Sequence, residues 1–461
     1  MNTGIKSKFC KALDEDNTGV KRKKLHQLFF PIFFEILFMM LAGIVDTLML
    51  SSEGDRVVGA VGTANTYIGL FIIMFSIISS GMVAVMTQFI GAGRPGVAKQ
   101  ALKIGLIINA VIGIAITGIL IFGAEPILNA VGVARDLKEP AKIYLQTVGA
   151  FCICNAITPI ISSYLRSFGH TSPTLAATLT SNIINVLLNA IFLFVMHWGV
   201  LGVALATGIS KLVNLLWISI AAKRRIKIEN DSQAPSNKEI FTKIIGVGFP
   251  AAMETMLYNV AITLVISMLN RMDDTGAQAT ARAYALQITN FSYCVSAALA
   301  NANAVLVGWH LGAGEKDRCV KTTRRAAMIG IGASVVVAGI FAIFSKPIVG
   351  LFSDDPDMIK LVGYLLFVDI FLEIGRSINL IYGFALKTSG DAMFPMIIAV
   401  VFMFLCAAGG TWLFGVKMGY LAVGAYVGMA LDECVRAVFM CGRWRGGHWR
   451  NIGLVSQNEI E

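Results

Sequence analysis

The chain has 461 residues, 56% of them hydrophobic and 14% charged, with a formal net charge of +10 and a mean hydropathy of +0.72. A soluble domain is nearer half apolar and a quarter charged; runs of about 20 apolar residues exclude that class and define an all-α integral membrane protein. The basic residues lie in loops beside the apolar runs, where membrane proteins collect them, so the positive charge does not argue for nucleic acid as a partner.

The first 27 residues are polar and include Lys21, Arg22, Lys23 and Lys24. No short apolar segment with a small-residue cleavage site precedes Leu28, so the first span is expected to serve as its own insertion signal. Apolar runs then predict twelve transmembrane helices: 28–50, 57–90, 101–123, 137–165, 173–197, 199–222, 241–269, 277–311, 323–345, 357–386, 394–416 and 420–441. The first span holds Asp46 in an otherwise apolar setting, "FMMLAGIVDTLML". A bare carboxylate at mid-membrane costs about 2.5–3.5 kcal/mol, a cost that a bound proton or small cation removes. Asp46 is therefore a candidate ion-coupling residue.

The loops separate into two sets that alternate along the chain. One set is basic: the N-terminus, "GRPGVAKQALK", Arg166, "KRRIK", "GEKDRCVKTTRR" and the tail with Arg443, Arg445 and Arg450. In the other set, "SSEGDR", "GAEP", "RMDDTG" and "SDDPD", acids are at least as common as bases. By the positive-inside rule both termini are cytoplasmic, and the expected location is the plasma membrane.

The polar stretch 223–239 divides the chain into an N-terminal tail (1–27), a six-helix lobe (28–222), a linker (223–239), a second six-helix lobe (240–442) and a tail (443–461). The lobes are repeats. "FFPIFFE", ending at Glu35, answers "VGFPAAME", ending at Glu254, each with proline four residues before the glutamate. "QFIGAGRPG" answers "WHLGAGEKD", and "SYLRSFGHTSPT" answers "FALKTSGDAMFP", in the same order and about 220 residues apart. An even number of spans per copy gives both one orientation, hence two pseudo-symmetric bundles related as parallel repeats. Proteins built this way hold substrate at the repeat interface and expose it alternately.

Proline frees a carbonyl and bends a helix, so Glu35 and Glu254 each sit beside an expected distortion. In the tenth span Asp369, Glu373 and Arg376 follow at spacings of four and three and share one face, which must point into protein or water. An exchangeable pairing of Arg376 with Glu254 or Glu373 is one expectation from these charges. Glu35, Glu254, Asp369, Glu373 and Arg376 are the candidates for a substrate cavity or charge network.

Over nearly its whole length the chain resembles the multidrug and toxic compound extrusion (MATE) transporters. The resemblance rests on "GIVDTLML", "QFIGAG" and "LGAG", "LRSFGHTSPT" with "LKTSGDAMFP", "SNIINVLLN" and "GVLGVALAT". It implies two six-helix lobes and secondary export of amphipathic, often cationic, organic compounds, driven by a proton or sodium gradient. It also implies a cation-coupling site formed by Asp46 with Asn185 and Asn189 of the fifth span and Thr207 of the sixth. Residues 185 and 189 are four apart and project from one face. Many relatives have a second aspartate at the position of Asn189, so this chain has one charge fewer. A flippase for a lipid-linked precursor, with a more basic cavity, is the rival reading, and Arg376 is the residue that gives it weight.

No other motif carries chemistry. The eight cysteines are read as small buried side chains, the GAG turns lack the lysine of a phosphate-binding loop, and no HExxH is present. The expectation is a transporter and not an enzyme, with no metal and no cofactor beyond the coupling ion. It meets small organic substrates and membrane lipid and works as a monomer. The methionines and the aromatics Tyr258, Tyr284, Phe291, Tyr293 and Tyr382 are read first as packing residues.

Overall fold

The computed structural model describes residues 23–131, 137–229, 231 and 234–455. Lys21 and Arg22 of the basic N-terminal run lie outside the described residues. Every predicted span is met by a helix. These are α1 (Leu25–Leu50), α2 (Asp55–Gly91), α3 (Pro95–Phe122), α4 in two segments (Lys138–Ala150 and Cys152–Ser167), α5 (Ser172–Ala190), α6 (Gly199–Arg225), α7 (Asn237–Leu269), α8 (Ala277–Gly312), α9 (Lys316–Ile343), α10 (Pro356–Thr388), α11 (Met393–Phe402) and α12 (Leu421–Arg445). Short helices at Ala124–Val131 and Ser345–Val349 follow α3 and α9. The fifth and eleventh spans continue beyond α5 and α11 as wider π turns, over Ile191–Val195, and over Met403–Ala408 and Thr411–Lys417.

Among the described residues nine helices are individually long and apolar enough to cross a membrane, and the segments of α4, bent by 44°, make ten. The two remaining, α10 and α12, have ample length at 33 and 25 residues but are too polar. They carry Asp369, Glu373 and Arg376, and Asp432, Glu433 and Arg436. In lipid, backbone groups must bond within the segment, which is why even these charged spans are helical.

The chain divides into two compact units, Met1–Gly248 and Phe249–Glu461, with the boundary inside α7, two residues before Pro250. In the first unit α4 packs on α2, α3 and α6; in the second α10 packs on α8, α9 and α12, the same arrangement in repeat positions. Apolar cores lie inside each, around Phe75, Leu120 and Tyr144 in one and Leu269, Ile288 and Leu365 in the other.

The repeat extends to individual turn bonds. After α2, Gly93 (φ 81°) donates to Ile90 O and Arg94 to Phe89 O; after α8, Gly314 (φ 72°) donates to Leu311 O and Glu315 to His310 O. The turns after α4 and α10 match likewise through Gly169 and Gly390, at φ 79° and 98°. These left-handed positions need glycine. Before α6 and α12, positive φ falls at His197 and Gly199, and 222 positions later at Gly419 and Leu421. Trp198 N donates to Phe192 O at 2.9 Å, and Tyr420 N to Phe414 O at 3.1 Å. Gly202 and Gly424 then let the following helix pass close to that phenylalanine. A Cβ on Gly202 would meet Phe192 Cβ at 2.7 Å, and one on Gly424 would meet the Phe414 carbonyl carbon at 2.5 Å. Gly202→Val and Gly424→Val are each expected to cost about 1–3 kcal/mol through overpacking, read as a lowered thermal midpoint in detergent. Gly118→Ala, which faces open space, should stay within error of the parent.

Candidate functional sites in the two repeats

In the first unit, α5 presents Asn185 and Asn189 one turn apart towards α1, and both are buried. Asn189 Nδ2 donates to Asp46 Oδ1 at 2.7 Å and to Asn185 Oδ1 at 3.3 Å, while Asn189 Oδ1 is buried with no hydrogen-bond partner. Asp46 itself is half-buried. Thr207, on α6, stands beside Tyr144 of α4, whose hydroxyl donates to Asn65 Oδ1 at 3.1 Å. The structure thus joins Asp46, Asn185 and Asn189 directly and places Thr207 in the adjoining polar patch. Sequence reasoning missed Lys211. It lies one turn beyond Thr207 on the same face of α6. A lysine inside an apolar span was a legible signal, because such a charge needs a partner or water.

The two glutamates beside prolines prove to be repeat mates in their contacts as well. Glu35 is 4% exposed; its Oε1 receives Arg166 Nη2 at 2.6 Å and its Oε2 accepts the Thr174 hydroxyl at 2.7 Å. Glu254 pairs with Lys387 Nζ at 2.7 Å. Arg166 and Lys387 are 221 positions apart, each at the last turn of its helix. One clamp therefore ties α1 to the α4–α5 turn, and its copy ties α7 to the end of α10. Of the two partners expected for Arg376, Glu254 or Glu373, Glu254 is thus taken by Lys387.

Arg376 instead pairs with Glu373, a turn away on α10, and reaches Glu433 Oε1 on α12 at 3.6 Å. Glu433 Oε2 accepts Arg436 Nη2 at 2.9 Å and Asn379 Nδ2 at 2.7 Å, and Arg436 also holds Asp432 Oδ2 at 2.9 Å. Gly375 makes this close approach possible, since a Cβ there would meet Cys434 N at 2.7 Å. The network contains four acids, with Asp369 buried beside Glu373 and Arg376, against two arginines. A small cleft beside it is lined by Tyr258, Arg376, Met403, Met429, Asp432 and Glu433. The sequence reading missed Asp432, Glu433 and Arg436, although their spacing in "LDECVR" repeats the logic applied to α10.

The profile of the MatE family matches residues 31–191 and 250–413, one stretch in each repeat. The chain belongs to the MatE family. The uncharacterized transporter YisQ of Bacillus subtilis is 32% identical, over 94% of this chain and 96% of that one. A probable multidrug resistance protein NorM of Thermotoga maritima is 24% identical over 99% of both. Among solved structures, an outward-facing multidrug resistance MATE transporter of the MOP superfamily superposes with a TM-score of 0.84 at 19% identity, covering 92% of this chain and 96% of that one. The MatE protein is thus a multi-pass membrane transporter with the fold the resemblance implied.

Removing one member of a buried ion pair strands the other. Glu35→Gln is expected to cost about 3 kcal/mol, and Glu35→Gln combined with Arg166→Met to cost less than Glu35→Gln alone, in a thermal unfolding cycle. The same cycle on Glu373 and Arg376 should give the same sign; additive losses would mean the pairs are not coupled.

Proposed function

We propose that this MatE protein is a secondary active exporter of amphipathic, mainly cationic organic compounds, driven by an inward proton or sodium gradient through alternating access. The observation that carries the reading is Asp46, a carboxylate inside the first span held by Asn189. A carboxylate so placed gains most from alternately binding and releasing a small cation. The α10–α12 network supports the cationic substrate class: it carries more acids than arginines, and the tyrosine and methionines of its cleft suit a soft apolar cation. Arg376 is taken up by Glu373 and Glu433, which argues against its serving an anionic lipid precursor. The protein sits in the plasma membrane as a monomer with both termini in the cytoplasm.

Expression in a pump-deficient bacterial host should raise resistance to cationic dyes such as ethidium several-fold, and Asp46→Asn should abolish the gain while leaving the protein in the membrane. Unchanged susceptibility with the parent chain is the outcome expected of a lipid-precursor flippase and would overturn the exporter reading.

A further inference from the structure

The N-terminal ends of α3 and α9 follow matched turns, yet their polar residues are engaged differently. Beside α3, Arg94 is held by Asp231 at 3.0 Å, Lys99 donates to Ile228 O at 2.8 Å, and Gln100 donates to Pro235 O and Asn237 Oδ1. On α3 itself only Lys103 is left exposed and unpaired among the described residues. The positions 221 residues after Gln100, Lys103 and Ile104 are Lys321, Arg324 and Arg325 of α9. All three are exposed, and among the described residues none has an ion pair or a hydrogen bond from its side chain. The acids nearest them in the chain are engaged elsewhere: Glu315 with Arg318 and His310, and Asp317 with Arg450 at 3.5 Å. Lys321 neighbours both arginines across one helical turn, where like charges repel. Membrane topology accounts for basic residues near such a turn, but not for three unpaired cations gathered on one exposed face.

Beyond Arg325 the helix runs through 18 residues without a charge, 326–343. They rise about 27 Å at about 1.5 Å per residue, close to the hydrocarbon thickness of about 30 Å, so the three cations stand at headgroup level. The same face continues through Met328, Val336 and Ile343, which are 65%, 59% and 78% exposed. We propose that Lys321, Arg324 and Arg325 form a binding site for an anionic phospholipid, its phosphate between Lys321 and the arginines and an acyl chain along the apolar stripe that follows. The phosphate supplies the negative charge that the protein does not: arginine offers it a fork of donors and lysine a point charge. The glycerol and acyl chain then lie against Met328 and Val336, a surface of no use to a free phosphate ion. In the first repeat the segment after α6 covers the equivalent position through Gln100, so the site belongs to the second repeat alone. The inference does not rest on the exporter reading.

The test requires no transported substrate. The full chain, purified in detergent and stripped of lipid, is titrated with phosphatidylglycerol or phosphatidylcholine, and bound lipid is counted by native mass spectrometry. The parent should hold phosphatidylglycerol at least several-fold more tightly than phosphatidylcholine. Each cation near an anionic headgroup is worth about five-fold in affinity, so Lys321→Gln combined with Arg325→Gln should weaken phosphatidylglycerol binding about 25-fold. Phosphatidylcholine binding should not change. Both side chains are exposed, so the thermal midpoint without lipid should match the parent's. Lys321→Arg should keep the preference, as should Lys103→Gln at the repeat mate of Arg324. Excess inorganic phosphate should leave the bound lipid in place. Equal retention of the two lipids by the parent, a double variant that keeps the parent's preference, or displacement of the lipid by inorganic phosphate would each overturn the inference. None of these results bears on drug resistance, so the exporter reading stands or falls separately.

Discussion

A charge inside a membrane-spanning helix has no water to fall back on, and this constraint organises both repeats. Six of the intramembrane acids described above lie against a donor or a base within their own repeat. Asp46 has Asn189; Glu35 has Arg166 and Thr174; Glu254 has Lys387; Glu373, Asp432 and Glu433 have Arg376 and Arg436. Taking a charge out of water costs more than any one such contact returns at a surface. The pairing is therefore a condition for folding in lipid more than an added source of stability.

The two repeats meet the constraint in different ways. The clamps beside Pro31 and Pro250 are duplicated, base and acid alike, and so are the turns that end α2 and α8, α4 and α10, and begin α6 and α12. The interior charges are not duplicated. The first repeat joins a single acid, Asp46, to amides; the second has a network of four acids and two arginines on α10 and α12. Elements that shape the backbone were retained in both copies, while the polar interiors diverged. That is the division expected when the scaffold is common and each interior has its own chemical task.

Much of this was legible beforehand, and what was not has a physical cause. Runs of apolar residues fixed the number and limits of the spans, because a bilayer of known thickness leaves little choice. The proline–glutamate pairs and two further matched motifs about 220 residues apart disclosed the repeat. The partners of the acids were harder to find. Arg166 and Lys387 read as ordinary loop-end bases, and only the fold brings them across about 130 residues to Glu35 and Glu254. For Arg376 the choice lay between Glu373 on its own helix and Glu254 on another, which one-dimensional spacing cannot order. Lys211 and the α12 charges stand in plain view along their spans, and asking where every intramembrane charge finds its complement would have singled them out.

The polarity of α10 and α12 has a consequence for biogenesis. Each central charge adds about 2.5–3.5 kcal/mol against partitioning from the translocon into lipid, and these two helices carry six between them, five of them on buried residues. Neither enters the bilayer favourably as a solitary segment. Their charges become tolerable only after Arg376 has found Glu433 and Arg436 has closed the set, which requires the final span to have been synthesised. A chain that ends after α11 therefore has α10 with Asp369, Glu373 and Arg376 but lacks the Glu433 that Arg376 reaches on α12.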